Sequence, residues 1–357
     1  MTADAERTSA PAGAGGWLEQ RTRGRALAAA LLHVRIPAEA RTLYFGGSAL
    51  FLFGIQVATG TLLALYYKPT PAAAYDSVLY VMSDVSFGWL IRSVHHWAAN
   101  LMILFVVLHL LRVFFQAAYK YPRELTWLFG IGLFGITMVF GFTGYLLPWD
   151  QRAYWATVVG TEIAGFVPVV GEQMLVLLRG GVDVTEATLS RFFGLHVLVL
   201  PLALVAFLAV HLVLVHQLGL ANPRRPDPRG REPEGRTVPF FPNYVLDELI
   251  AWYVLLALLV VLASLFPAGL DDKANALETP VGTKPEWSFM AVYEFLKMVP
   301  RIVGIMVPIV GLGLLAALPF LDRRPEVLIR RRWISMLVAS VILGVFVALT
   351  ARGLMPG

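Results

Sequence analysis

Seven apolar stretches of about 20 residues, each long enough to cross a bilayer core, constrain this chain more than any other feature. They fall near 43–66, 91–116, 126–147, 192–218, 245–266, 303–321 and 333–351. A backbone crossing hydrocarbon has to satisfy its own hydrogen bonds, so these stretches read as helices. The expected fold is all-α, a polytopic membrane helix bundle. With 57% hydrophobic and 15% charged residues, an ordinary soluble domain is excluded. The net charge of +5 fits basic cytoplasmic loops better than a nucleic-acid surface.

Basic residues set the expected orientation. Arg21, Arg23, Arg25, Arg35 and Arg41 precede the first span; Arg224, Arg225, Arg229, Arg231 and Arg236 follow the fourth; Arg323, Arg324, Arg330, Arg331 and Arg332 follow the sixth. With the N-terminus cytoplasmic, all three groups lie inside. The expected location is the inner (plasma) membrane of a bacterial-type cell. Residues 1–42 read as a tail with a surface amphipathic helix at Trp17–Ile36, and nothing there resembles a signal peptide. The Pro/Arg-rich run 222–236 divides a four-span part (43–221) from a three-span part (222–357). The external segments 148–191 and 267–302 are too long for simple connectors and are expected to fold back over the membrane face.

Within the four-span part, His95 and His109 lie fourteen residues apart on the second span, and His196 and His211 fifteen apart on the fourth. At about 1.5 Å per residue each pair spans roughly 21–23 Å, too far for one metal ion. Both spans run in the same direction, so each membrane level receives one histidine from each helix. That is the arrangement for axial ligation of two stacked b-type haems, held noncovalently. Fourteen residues rotate about 1400°, so His95 and His109 share a face, and His96 points elsewhere. Fifteen residues overshoot by about 60°, and Pro201 is a candidate kink to correct this. The chain contains no cysteine, which excludes iron–sulfur, thiolate and thioether attachment within it.

Gly46 and Gly60 on the first span, and Gly130 and Gly144 on the third, repeat the fourteen-residue interval. They are read as places where a porphyrin edge needs a backbone without a Cβ. Arg92 and Arg112, three residues from His95 and His109, are candidates to pair with haem propionates.

The stretches GWLIRSVHHWAANLMILFVVLHLLRVFF, PRELTW, GYLLPWDQ, RFFGLHVLVLPL and PEWSFMAVYEFLKMVP resemble the cytochrome b subunit of cytochrome bc complexes over about residues 40–320. The first four spans look most like the plastid-type subunit, including its fifteen-residue histidine interval. The last three resemble that complex's separate small subunit, fused here. The resemblance implies quinol oxidation coupled to proton translocation, a Rieske iron–sulfur protein and a c-type cytochrome as partners, and a homodimeric complex. It makes His95 and His196 ligands of the lower-potential outer haem, and His109 and His211 ligands of the higher-potential inner one. Pro285, Glu286 and Trp287 match the Pro-Glu-Trp-Tyr motif of the quinol-oxidation site, where the Glu takes a proton; Ser288 replaces the Tyr. Tyr145 and Tyr293 match positions lining that site. Tyr44 stands near the place where plastid-type relatives carry a Cys for a third haem, so a covalently held third haem is excluded; a noncovalent one stays open. His216 matches a quinone-contacting His of the mitochondrial-type subunit.

The residues themselves support the same chemistry. Bis-His haems have no open coordination site and serve electron transfer. Partial burial would tune Glu286 toward a useful general base. His216, with Asp247 or Glu248 at the start of the fifth span, is a candidate proton donor to an inner quinone. The nearest rival is a dihaem anchor for a quinone-linked dehydrogenase, which needs no Pro-Glu-Trp segment. A transporter using intramembrane His and Arg is the rival from another class.

Overall fold

The computed structural model describes residues 34–37, 44–220, 237–280 and 282–355. The expected amphipathic helix falls outside them except for its last residues, which form a strand: β1 (Arg35–Pro37) pairs antiparallel with β2 (Thr237–Pro239). Arg35 fastens this ribbon by donating from Nε to Thr237 Oγ1 at 2.8 Å. It is the one sheet among the described residues of an otherwise helical chain.

Among the described residues, seven helices are long and apolar enough to cross a membrane: Phe45–Ala64, Gly88–Phe115, Glu124–Leu146, Glu186–Leu218, Phe240–Leu265, Arg301–Leu321 and Ile329–Leu354. Each overlaps one stretch named from the sequence. The elements that matter below are α1 (Phe45–Ala64), α2 (Ala74–Ser83), α3 (Gly88–Phe115), α4 (Glu124–Leu146), α5 (Gln151–Gly165), α6 (Gly171–Arg179), α7 (Glu186–Gly194) and α8 (Leu200–Leu218). After β2 come α9 (Val245–Leu265), α10 (Trp287–Met298), α11 (Arg301–Leu321) and α12 (Trp333–Leu354).

Helices α7 and α8 form one span through a π-helical turn at Leu195–Val199, where the Leu200 amide donates five residues back to the Leu195 carbonyl. Pro201 follows immediately and has no amide to donate, so the ladder widens one turn ahead of it. A π turn holds one residue more than the α-helical count. Removing that residue's roughly 100° brings the fifteen-residue interval back to about 1400°, matching α3. The sequence reading placed the correction at Pro201 as a kink; the structure places it in the turn that carries His196.

Packing runs α1 on α3 and α8 on α4, with α9 against both α1 and α3. Leu52, Ala98, Met102, Leu204, Leu255 and Leu259 make one central core. The fifth span is therefore built into the side of the four-span part. At the far end α11 packs on α4, and the Trp127 indole donates to the Leu315 carbonyl at 2.8 Å. Beside it Asp322 accepts from Tyr119 (2.5 Å) and pairs with Lys120 (2.9 Å), while Arg332 donates to the same tyrosine hydroxyl (2.8 Å).

The two long segments at 148–191 and 267–302 pack against each other instead of running as simple connectors. Helices α5 and α6 belong to the first, with Asp150 capping α5 through the Ala153 amide at 2.8 Å. Gly180, at φ +80°, ends α6 in the left-handed conformation that glycine allows without strain. The buried Arg179 joins α5 and α6 by donating to Thr161 Oγ1 and to the Val158 carbonyl. The second segment is stitched onto the first: the Gln151 amide donates to the Asp272 carbonyl at 2.7 Å, and the Ala274 amide to the Trp149 carbonyl at 3.1 Å.

Candidate haem and quinone sites

Each of the four histidines meets one of the four glycines. A Cβ added at Gly46 would lie 3.1 Å from His109 Cε1, at Gly60 3.1 Å from His95 Cε1, at Gly130 3.4 Å from His211 Cε1, and at Gly144 2.5 Å from His196 Cε1. The imidazole itself fills the space that the sequence reading gave to a porphyrin edge. The shared interval has a direct cause: α1 and α4 each carry one gap per histidine of the helix they pack against.

At one level the rings of His95 and His196 face each other with centroids 6.4 Å apart and planes at 68°. A metal bonded to one nitrogen of each ring at about 2 Å sets the centroids about 6 Å apart, so the pair fits one iron between its rings. Tautomers support the fit. Thr59 Oγ1 donates to the Ile55 carbonyl at 2.6 Å and so accepts from His95 Nδ1 at 2.9 Å. His95 Nε2 then carries the lone pair. Thr143 repeats this device, donating to Val139 O and meeting His196 Nδ1 at 3.3 Å. At the other level the His211 Nδ1 donates to the Thr126 carbonyl at 3.0 Å, which again leaves Nε2 free. Fixing Nδ1–H in this way orients a ligand ring and raises its basicity. His109 Nδ1 is buried without a partner among the described residues. His96 turns away, its Nε2 3.4 Å from the Asn100 amide nitrogen.

Both rings of the His95–His196 pair open on a cavity of about 1170 Å³, which Tyr145, Pro285, Glu286 and Tyr293 also line. The structure thus brings the Pro-Glu-Trp segment to one histidine level. Glu286 is half-buried at the N-terminus of α10. Burial pushes its carboxyl up from the ordinary value, against the opposing pull of Arg152 and the Trp287 amide. The Tyr145 hydroxyl is buried with no hydrogen-bond partner among the described residues, within electrostatic reach of Glu286. Tyr293 donates weakly to the Thr283 carbonyl, at 3.4 Å. Ser288, where an aromatic residue stands in the family motif, is buried and lines the same cavity.

Asn100 escaped the sequence reading. Its side-chain oxygen accepts from the Trp287 indole at 2.6 Å, which ties the Pro-Glu-Trp segment to α3 one turn beyond His96. Thr59 and Thr143 were missed too, although each directly precedes a glycine of the repeat, a Thr-Gly pair that occurs on α1 and again on α4. Arg92 lines the cavity, but its guanidinium donates to the Ala268 (2.5 Å) and Gly269 (2.9 Å) carbonyls. It holds the 267–270 loop against α3. Arg112 lies within electrostatic reach of Tyr44 and Tyr244.

At the other level the two acids at the start of α9 meet α1. Tyr44 donates to Asp247 at 3.1 Å, and the Glu248 carboxylate fills the space beside Gly47. Both acids turn toward the start of α1, whereas His216 is exposed near the end of α8.

Comparison with known proteins agrees with these features. Residues 33–219 match the family model described as cytochrome b/b6/petB, and residues 273–357 the model for the C-terminal part, cytochrome b(C-terminal)/b6/petD. The cytochrome bc complex cytochrome b subunit of Chlorobaculum thiosulfatiphilum is 41% identical over 304 residues, 82% of this chain and 70% of that protein. Cytochrome b6 of Heliobacterium mobile is 47% identical over 210 residues, 58% of this chain and 99% of that protein. A solved structure titled hyperthermophilic respiratory Complex III superposes with a TM-score of 0.84 at 33% identity, covering 96% of this chain and 91% of that one. This multi-pass membrane chain belongs to the cytochrome b family, as the haem-binding cytochrome b subunit of a bc-type quinol oxidoreductase complex.

Proposed function

We propose that the chain holds two noncovalent b-type haems, one between His95 and His196 and one between His109 and His211, and serves a quinol-oxidising site and a quinone-reducing site at opposite membrane faces. The observation that carries this reading is the 6.4 Å pairing of His95 with His196 in the cavity that Glu286 also lines. When bound, bis-His haems supply one-electron transfer with no open coordination position.

The chain's own residues do the rest. Gly46, Gly60, Gly130 and Gly144 let the helices approach each ligand ring, and Thr59, Thr143 and the Thr126 carbonyl hold Nδ1–H of His95, His196 and His211, which would leave their Nε2 free to hold an iron. Arg92 closes the cavity by anchoring the 267–270 loop, and Arg92 and Arg112 would pair with haem propionates at the two levels. Quinol enters between Tyr145, Glu286 and Tyr293, and Glu286 accepts a quinol proton at its carboxylate and releases it outward. Partial burial suits that carboxyl to hold a proton nearer neutrality than an exposed glutamate would. At the inner face His216 donates a proton to bound quinone. Tyr44 engages Asp247 there, which favours Glu248 as the carboxylate serving the inner pocket.

The N-terminus is cytoplasmic and the Glu286 face external, with a Rieske iron–sulfur protein and a c-type cytochrome docking there, and the complex is a homodimer. The four-span and three-span parts correspond to residues 43–221 and 222–357. Two classes of quinone analogue test the reading in the assembled complex. An outer-site analogue should block quinol oxidation and lose affinity in Tyr145→Phe and Glu286→Gln. An inner-site analogue should block haem reoxidation and respond to His216→Ala. One shared site for both classes would instead point to a dihaem anchor.

A further inference from the structure

Helix α10 has two working faces. Phe289, Val292, Tyr293 and Leu296 line the cavity, and follow the i, i+3, i+4, i+7 spacing of one helix face. Met290 and Glu294 lie on the other face, buried against α12. Glu294 is the unusual member. It is only 3% exposed, yet it is a carboxylate. An ion so buried is tolerated only when it is paired. Two cations pair with it: Lys297, one turn along α10, and Arg352, 3.5 Å away in the last turn of α12.

The end of α12 is shaped for this contact. A Cβ at Gly353 would strike the Met290 side chain and sit 3.0 Å from Glu294 Cγ, so only glycine lets the helices close to this distance. Two residues after Gly353, the Met355 carbonyl accepts from Lys284 at 2.7 Å, gripping the chain just before Glu286. Lys297 also lies over the Tyr293 ring, 4.7 Å from its centroid. Contacts around the end of α12 therefore reach both ends of the cavity wall: the segment before Glu286 through Lys284 and Met355, and Tyr293 through Lys297, the partner of Glu294.

We propose that the C-terminal turn of the last helix is a clamp that positions α10, with Glu294 and Arg352 as positioning residues for the fit of quinol in the cavity. This inference rests on the quinol site proposed above. Neither residue touches the cavity, so the clamp acts through where it puts Tyr293 and Glu286.

The test uses the assembled complex with Glu294→Gln, Arg352→Gln, Arg352→Lys and the Glu294→Gln/Arg352→Gln double variant. Arg352→Gln should raise quinol KM about tenfold and weaken an outer-site analogue alike, within the roughly hundredfold that a 1 Å misplacement can cost. Haem content and both midpoint potentials should stay at wild-type values. Arg352→Lys should restore KM, and the double variant should be no worse than the more severe single one. Wild-type KM and analogue affinity in Arg352→Gln would overturn the clamp while leaving the quinol site intact. If Glu294→Gln fails to assemble, the exposed partner Arg352 decides alone. A wild-type complex that oxidises no quinol would instead sink the site reading on which the clamp depends.

Discussion

Gly144 on α4 and His196 in the π turn approach so closely that a single methyl group on Gly144 would stand 2.5 Å from the imidazole Cε1. The four glycine–histidine contacts are graded, and the grading has consequences. Gly144→Ala should displace His196 and empty its haem position, because overpacking a filled site costs about 1–3 kcal/mol and forces atoms to move. Gly60→Ala and Gly46→Ala, at 3.1 Å, should reduce occupancy partly, and Gly130→Ala, at 3.4 Å, least. Haem per polypeptide in the four purified variants checks the order.

Thr59→Val removes the oxygen that accepts the His95 Nδ1 proton. A buried donor left unmade costs about 1–3 kcal/mol, and loss of such a partner lowers metal-site affinity about 10–100-fold. A less basic imidazole also stabilises the oxidised iron less, so the midpoint potential at the His95 level should rise. A redox titration in which only that potential moves would bear this out.

Glu286 is raised from the ordinary carboxylate value by burial, with Arg152 pulling the other way. As a base it works only when ionised, so quinol oxidation should rise with pH through this raised value. Glu286→Gln should slow turnover and abolish that limb of the profile. Arg152→Gln should move the limb to higher pH, since the opposing charge is gone. Turnover measured against pH in the three complexes distinguishes these outcomes.

Asn100→Leu leaves the Trp287 indole N–H without its acceptor. The expected cost is about 1–3 kcal/mol at the Pro-Glu-Trp segment, seen as weaker binding of outer-site quinone analogues with haem content unchanged. Loss of haem in parallel would place Asn100 in the haem pocket instead.

Asp322 gives a stability test at the opposite end of the bundle. Burial pushes its carboxyl up, but hydrogen bonds from Tyr119 and Lys120 and the charges of Lys120 and Arg332 outweigh it and hold the value below ordinary. A depressed carboxyl stabilises the fold above its unfolded value, and that stability is lost as pH falls through the folded value. The complex should thus melt lower in acid, and Asp322→Asn should melt lower at neutral pH with a flatter acid dependence.

The spans were legible because a bilayer leaves few alternatives to long apolar helices, and each structural span overlaps its sequence counterpart. The histidine and glycine intervals were legible for the same reason, since a regular helix converts spacing into direction. What escaped was interaction between segments far apart in sequence. The π turn at Leu195–Val199 changes one hydrogen bond, and no residue pattern other than the nearby Pro201 marks it. Asn100 and Thr59 look like isolated polar residues until the folded chain brings Trp287 and His95 against them, and the spacing that singles out Arg92 carries no sign of its hold on the 267–270 loop. The pairing of β1 with β2 across about 200 residues had no local signal at all, and neither did the contacts of Asp247 with Tyr44 and of Glu248 with the space beside Gly47.

The most direct measurement is haem stoichiometry with a redox titration, by pyridine haemochrome and visible spectra, on the wild-type complex beside His196→Ala. Two b-type haems per chain at separate potentials, falling to one in His196→Ala with the surviving potential the higher, is the result this account requires. A wild-type chain without haem, or an unchanged pair in His196→Ala, would contradict the pairing of His95 with His196 as ligands.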